Sequence, residues 1–285
     1  MPASHPHQRA LRSFAQLVDP AREDQTIDLG TSSLTLARVE YPELDAQLYL
    51  QRLNSLADRV RRGLRPNSGA RETIARLNRV LFDEEGLRGN RDDYYDPRNS
   101  FLNDVLDRKL GIPITLSVVY MEVARRIGFP LAGAGMPGHF LLKHYDVLAG
   151  DIIVDAFNLG RILSVGDCQS QLNEIYGGEV EFKPEFLRPV THREILTRML
   201  NNLRQIYLTQ CNLSKGLQVL DLLLAIPPGS PEMLRERALV RLQLDQYVGA
   251  AQDLATYLKL SPDAPDTEDV GETLNMVRQL IARLN

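Results

Sequence analysis

The residues in this chain best placed to do chemistry are His139, in the β-rich run His139-Phe140-Leu141-Leu142, and Asp155, in the run Asp151-Ile152-Ile153-Val154-Asp155-Ala156-Phe157. On neighbouring strands a histidine and an acid can hydrogen-bond, and the acid then orients the imidazole as a general base. A helix beginning near Pro113 would face the pair with its unpaired amides. This is the arrangement of a thiol-dependent acyl-transfer site, where a cysteine at the helix start has its pKa lowered by the helix dipole and the imidazolium. Pro113 offers no nucleophile, and Cys168 and Cys211 both lie beyond the aspartate. Among hydroxyls, Ser117 is one helical turn past Pro113 on a similar face and is the candidate nucleophile, whereas Thr115 points about 200° away. The His139–Asp155 pair has a second reading, as two buried polar groups that satisfy each other structurally. His144, five residues along the strand, would face away from His139 at about 16 Å, so no metal site is expected, nor any cofactor.

The elements that must position these residues are legible from period and punctuation. Ala46, Tyr49, Leu53, Leu56 and Val60 recur at helical spacing, as do Ile74, Leu77, Leu81 and Phe82 before Asp83-Glu84-Glu85-Gly86. The stretch from Gly89 to Pro97 is polar and turn-prone. Asn99-Ser100 is expected to cap a helix running through Leu106 and stopped by Gly111. Ile112-Pro113 opens the next helix, because proline suits the first helical position; Leu116, Val119, Tyr120 and Val123 form its buried stripe and Gly128-Phe129-Pro130 ends it. Two short strands follow, one with His139 and one with Asp155. After the irregular Gly177-Gly178 and Pro184–Pro189 region the chain is helical again, with a repeat. Aligning Pro228 with Pro262, a period of 34, also aligns Leu213 with Tyr247, Gly216 with Ala250 and Leu220 with Leu254. The expected divisions are a helical segment over 1–90 that packs on the core, the core over 91–189 and a helical module over 190–285.

Composition narrows the function classes. The 285 residues carry 33 Lys and Arg against 37 Asp and Glu, a formal charge of −4 with no basic block, which argues against nucleic-acid binding. No run approaches the 18 or more apolar residues that span a bilayer, and residues 1–8 lack the pattern of a secretory signal. Two isolated cysteines read as free thiols in a reducing cytoplasm.

The run Gly111-Ile112-Pro113 through Arg125-Arg126-Ile127-Gly128-Phe129-Pro130, then Pro137-Gly138-His139-Phe140, then Val154-Asp155-Ala156-Phe157-Asn158, resembles the transglutaminase-like core. In that superfamily a Gly-x-Cys opens a helix that closes fifteen residues after the Cys, and an Asp follows the His about sixteen residues later. Counting back fifteen from Gly128 lands on Pro113, and His139 to Asp155 is sixteen, so the resemblance places Pro113 at the nucleophile position. More narrowly, Tyr95-Asp96-Pro97-Arg98-Asn99-Ser100-Phe101-Leu102 with Pro137-Gly138-His139-Phe140 is similar to the SirB-family branch of bacterial proteins, which pair this domain with C-terminal tetratricopeptide repeats. Ala238, Tyr247, Ala250 and Pro262 fall on the small-residue, aromatic and terminal-proline positions of that repeat, the alternative being a generic helical hairpin.

The resulting expectation is an α+β protein: an N-terminal helical segment, a transglutaminase-like core with a small antiparallel sheet, and C-terminal repeat helices. Tyr95, Asn99 and Gly138 are candidate binding residues near the histidine. Arg235 and Arg241, with Arg237, would present a basic helical face to an acidic peptide. Arg125-Arg126 reads as a pairing with the negative end of its helix in preference to an anion site, and the acidic Asp92–Asp96 stretch as a solvated loop in preference to a lining of the cleft. The function expected is protein or peptide binding by a scaffold or regulator lacking the thiol. The alternative is a cysteine-independent hydrolase or acyltransferase using His139 and Asp155.

Overall fold

The computed structural model describes residues 6–146 and 150–284. They form two compact units: Glu23–Ala37 with Glu43–Met199, and the chain up to Arg22 with Arg38–Pro42 and Leu200 onward. These units differ from the expected divisions at residues 90 and 189. The N-terminal 90 residues are split between the two, and the second boundary falls inside a helix.

α1 (Pro6–Leu17) belongs to the smaller unit. In the larger unit α2 (Leu29–Leu36), α3 (Ala46–Arg62) and α4 (Ala70–Asn78) lead into a π-helical turn, Arg79–Glu84. β1 (Arg88–Gly89) then pairs in parallel with β2 (Leu110–Gly111), bracketing α5 (Leu102–Arg108). α6 (Pro113–Arg126) follows. The main sheet holds β3 (Ala132–Ala134), β4 (Leu141–His144), β5 (Ile152–Asp155), β6 (Arg161–Leu163) and β7 (Pro189–Val190). Its order is β6-β5-β4-β3-β7, antiparallel throughout, with α7 (Val165–Tyr176) after β6.

α6 is the core helix of this unit. Every residue from Pro113 to Ala124 is buried, as expected of a helix enclosed on all sides, and α2, α3, α4, α5, β3 and β4 pack around it. Pro113 occupies the first turn without wasting a donor. Thr115 serves that turn as a clamp: its hydroxyl accepts from Ile112 N–H (3.1 Å) and donates to the Asn99 carbonyl (2.7 Å). At the other end Phe129 N–H reaches Ala124 O (2.9 Å) and Gly128 N–H reaches Arg125 O (3.0 Å), a Schellman closure. Arg126 donates to the Glu122 carbonyl at 2.8 Å, the helix-end pairing expected of it.

Two local expectations are corrected. Asn99 and Ser100 do not cap α5, whose N-cap is Phe101, and the helix stops at Lys109 in the left-handed region (φ 64°) before Gly111. His139 precedes β4 by two residues rather than lying on a strand. Its backbone N–H donates to Met136 O at 3.0 Å, a turn enforced by Gly138 (φ +68°).

In the smaller unit α8 (His192–Thr209), whose first eight residues belong to the larger unit, is followed by α9 (Leu213–Ala225), α10 (Pro231–Gln243), α11 (Tyr247–Leu260) and α12 (Thr267–Leu284). Ala238 and Ala250 are fully buried where α10 meets α11. Gly216, which the repeat aligns with Ala250, meets α8 so closely that a Cβ there would fall 2.6 Å from Leu208 Cδ2. The basic face expected to be open is neutralised from within the unit. Arg237 donates to Asp253 (2.9 and 2.7 Å) and Asp221 (2.8 Å), Arg241 to Asp253 (2.7 Å), and Arg235 lies 2.9 Å from Asp266. Burial alone would lower the Arg237 pKa, but its two aspartates outweigh that and raise it. Enlarging Ala250 to Leu should lower stability by about 1–3 kcal/mol through overpacking, read as a shifted urea midpoint for the repeat helices; an unchanged midpoint would mean that α10 and α11 do not need a small residue there.

Candidate functional site

The residues at the heart of the site are held by a buried carboxylate. Asp155, fully buried at the end of β5, accepts at Oδ1 from the backbone N–H groups of Phe157 (3.1 Å) and Asn158 (3.2 Å). Its Oδ2 accepts from the side-chain amides of Asn158 (2.7 Å) and Gln171 (3.0 Å). Four donors use the full acceptor capacity of a carboxylate. Burial by itself would raise the Asp155 pKa; His139, Asn158 and Gln171 together more than reverse this and hold it below the usual carboxylate range.

His139 stands beside this carboxylate with Nε2 at 3.0 Å from Oδ2. At that distance the two side chains are in direct contact, and His139 is the first of the groups that hold the Asp155 pKa down. The ring is also held by its surroundings. Phe157 stands edge-on at 6.0 Å between ring centroids, and Arg198 of α8 donates to the carbonyls of His139 (2.7 Å) and Met136 (3.1 Å), clamping the loop.

A cleft of about 680 Å³ opens over the pair. Pro113 and His139 line it together, as do Gly138, Tyr94, Arg91 and, from α7, Gln171 and Glu174. The start of α6 thus meets the histidine as the sequence expects, and the group it presents is a proline ring. α7 turns a polar face to the cleft and buries Cys168 and Leu172 on the other side. Burial, then Asp167 and Asp155, push the Cys168 thiol up to about 11, the wrong direction for a nucleophile.

The remaining candidates fall in different places. Ser117 is fully buried in α6, its hydroxyl without a hydrogen-bond partner among the described residues, and does not line the cleft. Tyr95 is 65% exposed and packs edge-on against Tyr94, and it is Tyr94 that lines the cleft. Asn99 is fully buried beneath the loop that carries Tyr94: its amide donates to the carbonyls of Asp93 (2.7 Å) and Tyr94 (3.2 Å) while its oxygen accepts from Asn90 (3.0 Å). Gly138 does line the cleft, and a Cβ there would fall 2.8 Å from Ile175. Arg235 and Arg241 belong to the other unit. His144 stacks on Phe129 at 4.3 Å, with Nδ1 2.8 Å from Pro130 O. Asp96, in the loop expected to be solvated, is buried and paired with Arg98 and Arg108.

Sequence reasoning missed Gln171, Arg91 and Arg198, and it preferred a solvated loop to a cleft lining for the stretch that supplies Tyr94. For Gln171 a signal existed, since Asp167, Ser170, Gln171 and Glu174 share one face of a helix at three- and four-residue spacing. For Arg198 there was none, because its partners are backbone carbonyls some sixty residues upstream.

Residues 47–201 match the transglutaminase-like superfamily, and residues 203–275 match the tetratricopeptide repeat. This chain belongs to the transglutaminase-like superfamily. A UPF0162 protein of Xylella fastidiosa is 40% identical over 251 residues, spanning 87% of this chain and 89% of that protein. A UPF0162 protein of Vibrio cholerae is 31% identical over 190 residues, 67% of this chain and 70% of its own length. F-box only protein 21 of Mus musculus is 31% identical over 179 residues, 57% of this chain and 27% of that larger protein. The expected combination of core and repeats is therefore the one present, in a chain shared nearly end to end with the Xylella relative. Among the described residues no helix is long and apolar enough to cross a membrane.

Replacing Asp155 by Asn should cost about 1–3 kcal/mol at pH 7, because four donors would then face an amide with half the acceptor capacity. Since the folded-state pKa of Asp155 lies below its unfolded value, its contribution is complete above about pH 4 and is lost as pH falls through the folded value. Urea unfolding between pH 7 and 3 should accordingly show a flatter acid limb for the variant. An acid limb identical to that of the parent chain would show that the carboxylate is not held as described.

Proposed function

We propose that this chain is a thiol-less transglutaminase-like protein that binds a protein or peptide segment in the His139 cleft and acts as a scaffold or regulator. The observation that carries this reading is Pro113, which lines the cleft with His139 at the helix start where a thiol-dependent acyl-transfer site requires its nucleophile. Three further features support it. The buried Cys168 thiol is raised in pKa, Ser117 is sealed away from the cleft, and Asp155 accepts four hydrogen bonds from the fold itself. Binding capacity fits what remains. The cleft has the size of a small-ligand or side-chain site, mixes Arg91 and Arg161 with Asp167 and Glu174, and contains Gln171, whose buried Oε1 has no partner among the described residues. Tetratricopeptide repeats commonly present extended binding surfaces, which makes a second contact with the same partner part of this proposal, as is residence in the cytoplasm.

The other reading, a hydrolase or acyltransferase in which His139 activates water, draws on the 3.0 Å approach of His139 to Asp155. The two separate on full-length His139→Ala and Glu174→Arg chains, each checked for an unchanged melting temperature. Peptides captured from a proteome digest should be lost about tenfold or more with Glu174→Arg, a charge reversal in the cleft wall. Ester hydrolysis and amine incorporation should stay at the uncatalysed rate in parent and His139→Ala alike. A turnover by the parent chain that collapses in a folded His139→Ala chain would replace the scaffold with the enzyme.

A further inference from the structure

α12 carries two apolar stripes. Val270, Leu274 and Val277 are buried, packed with Ala238, Leu254 and Tyr257 of the preceding hairpin or continuing that stripe. Met276, Leu280 and Leu284, spaced by four, are 62%, 36% and 65% exposed. At 100° per residue Met276 and Leu280 lie about 40° apart, and roughly 100° round the helix from the buried stripe. The outer helix of a stacked array needs a polar outer face to remain solvated, and α12, the last described helix of the array and packed on α11, has a row of large apolar side chains. Its charges are sorted along its length: Glu268, Asp269 and Glu272 in the first half, Arg278 and Arg283 in the second. Glu272 and Arg283 are both exposed on the same flank of the Met276–Leu280 stripe.

We propose that α12 pairs antiparallel with α12 of a second copy of this chain, Met276 of each copy lying against Leu280 of the other. A two-fold contact is self-complementary, so one register must satisfy every residue twice. In this register the two apolar layers are equivalent, and Arg283 of one copy stands beside the Glu272 carboxylate of the other, both lying on the same flank of the stripe. Glu272 of each helix thus meets Arg283 of the other while Glu268 and Asp269 lie outside the overlap, and the opposed helix dipoles add to the attraction. A parallel pair would instead set acid on acid. One helix pair buries less than a standard interface, so the dimer forms and dissociates with concentration.

The test is sedimentation equilibrium on the intact chain from about 1 µM to about 1 mM, the range over which an association this small is measurable. A monomer–dimer equilibrium is expected, weakened about tenfold or more by Leu280→Glu. Glu272→Arg and Arg283→Glu should each weaken it as well, and mixing these two variants should restore association, since each then supplies the charge the other lacks. All three positions are exposed, so circular dichroism should be unchanged. A monomer at every concentration overturns the proposal, as does a dimer indifferent to Leu280→Glu or a charge-reversed mixture that stays apart. A monomer that binds zwitterionic lipid vesicles through Leu280 would overturn it in favour of a membrane surface.

Discussion

A carboxylate cannot be buried without donors, and the larger unit of this protein is arranged around meeting that demand at Asp155. The turn after β5 supplies two backbone N–H groups, Asn158 closes the turn with its side chain, and α7 must run past at the height that brings Gln171 within 3.0 Å. That placement of α7 forms one wall of the cleft. It also buries Cys168 and Leu172 in the core behind it. The same constraint decides what His139 can do. The Asp155 carboxylate stands 3.0 Å from Nε2 of the ring, so the donors that hold Asp155 in place also set where the imidazole finds its acid.

The opposite wall comes from α6, which is enclosed on every side and cannot shift without disturbing most of the unit. Its first turn is fixed by Thr115, through Ile112 and the carbonyl of Asn99, and Asn99 in turn holds the loop that brings Tyr94 over the cleft. Pro113 is thus set into the wall by a buried hydrogen-bond chain as well as by its own ring. That rigidity is what fixes the Pro113 ring as part of the cleft lining beside His139.

In the repeat unit the economy is electrostatic. Arg237 is drawn out of water between Asp221 and Asp253, with Arg241 on the same acid. Such buried pairs fix geometry more surely than they add stability. The side chains that look, in sequence, like a recognition face are spent in aligning α9, α10 and α11. The unit also leaves Met276, Leu280 and Leu284 exposed on α12.

The sequence by itself determined the α+β class, the start of α6 at Pro113, its end at Gly128, the antiparallel pair of strands around Asp155 and the 34-residue repeat. Those are encoded by proline and glycine backbone preferences, by hydrophobic period and by small residues at helix contacts, all of which act within a few turns of chain. Tertiary structure decided the rest. Asn99 reads as a cap because amides cap helices locally, yet burial assigns it to a loop. Tyr94 and not Tyr95 turns into the cleft, Ser117 is sealed inside α6, and β7 is only two residues long and pairs with a strand more than fifty residues upstream. Whether a charged or polar group is spent on the fold or left for a ligand depends on which distant donors and acceptors reach it, and that information exists only once the chain has folded.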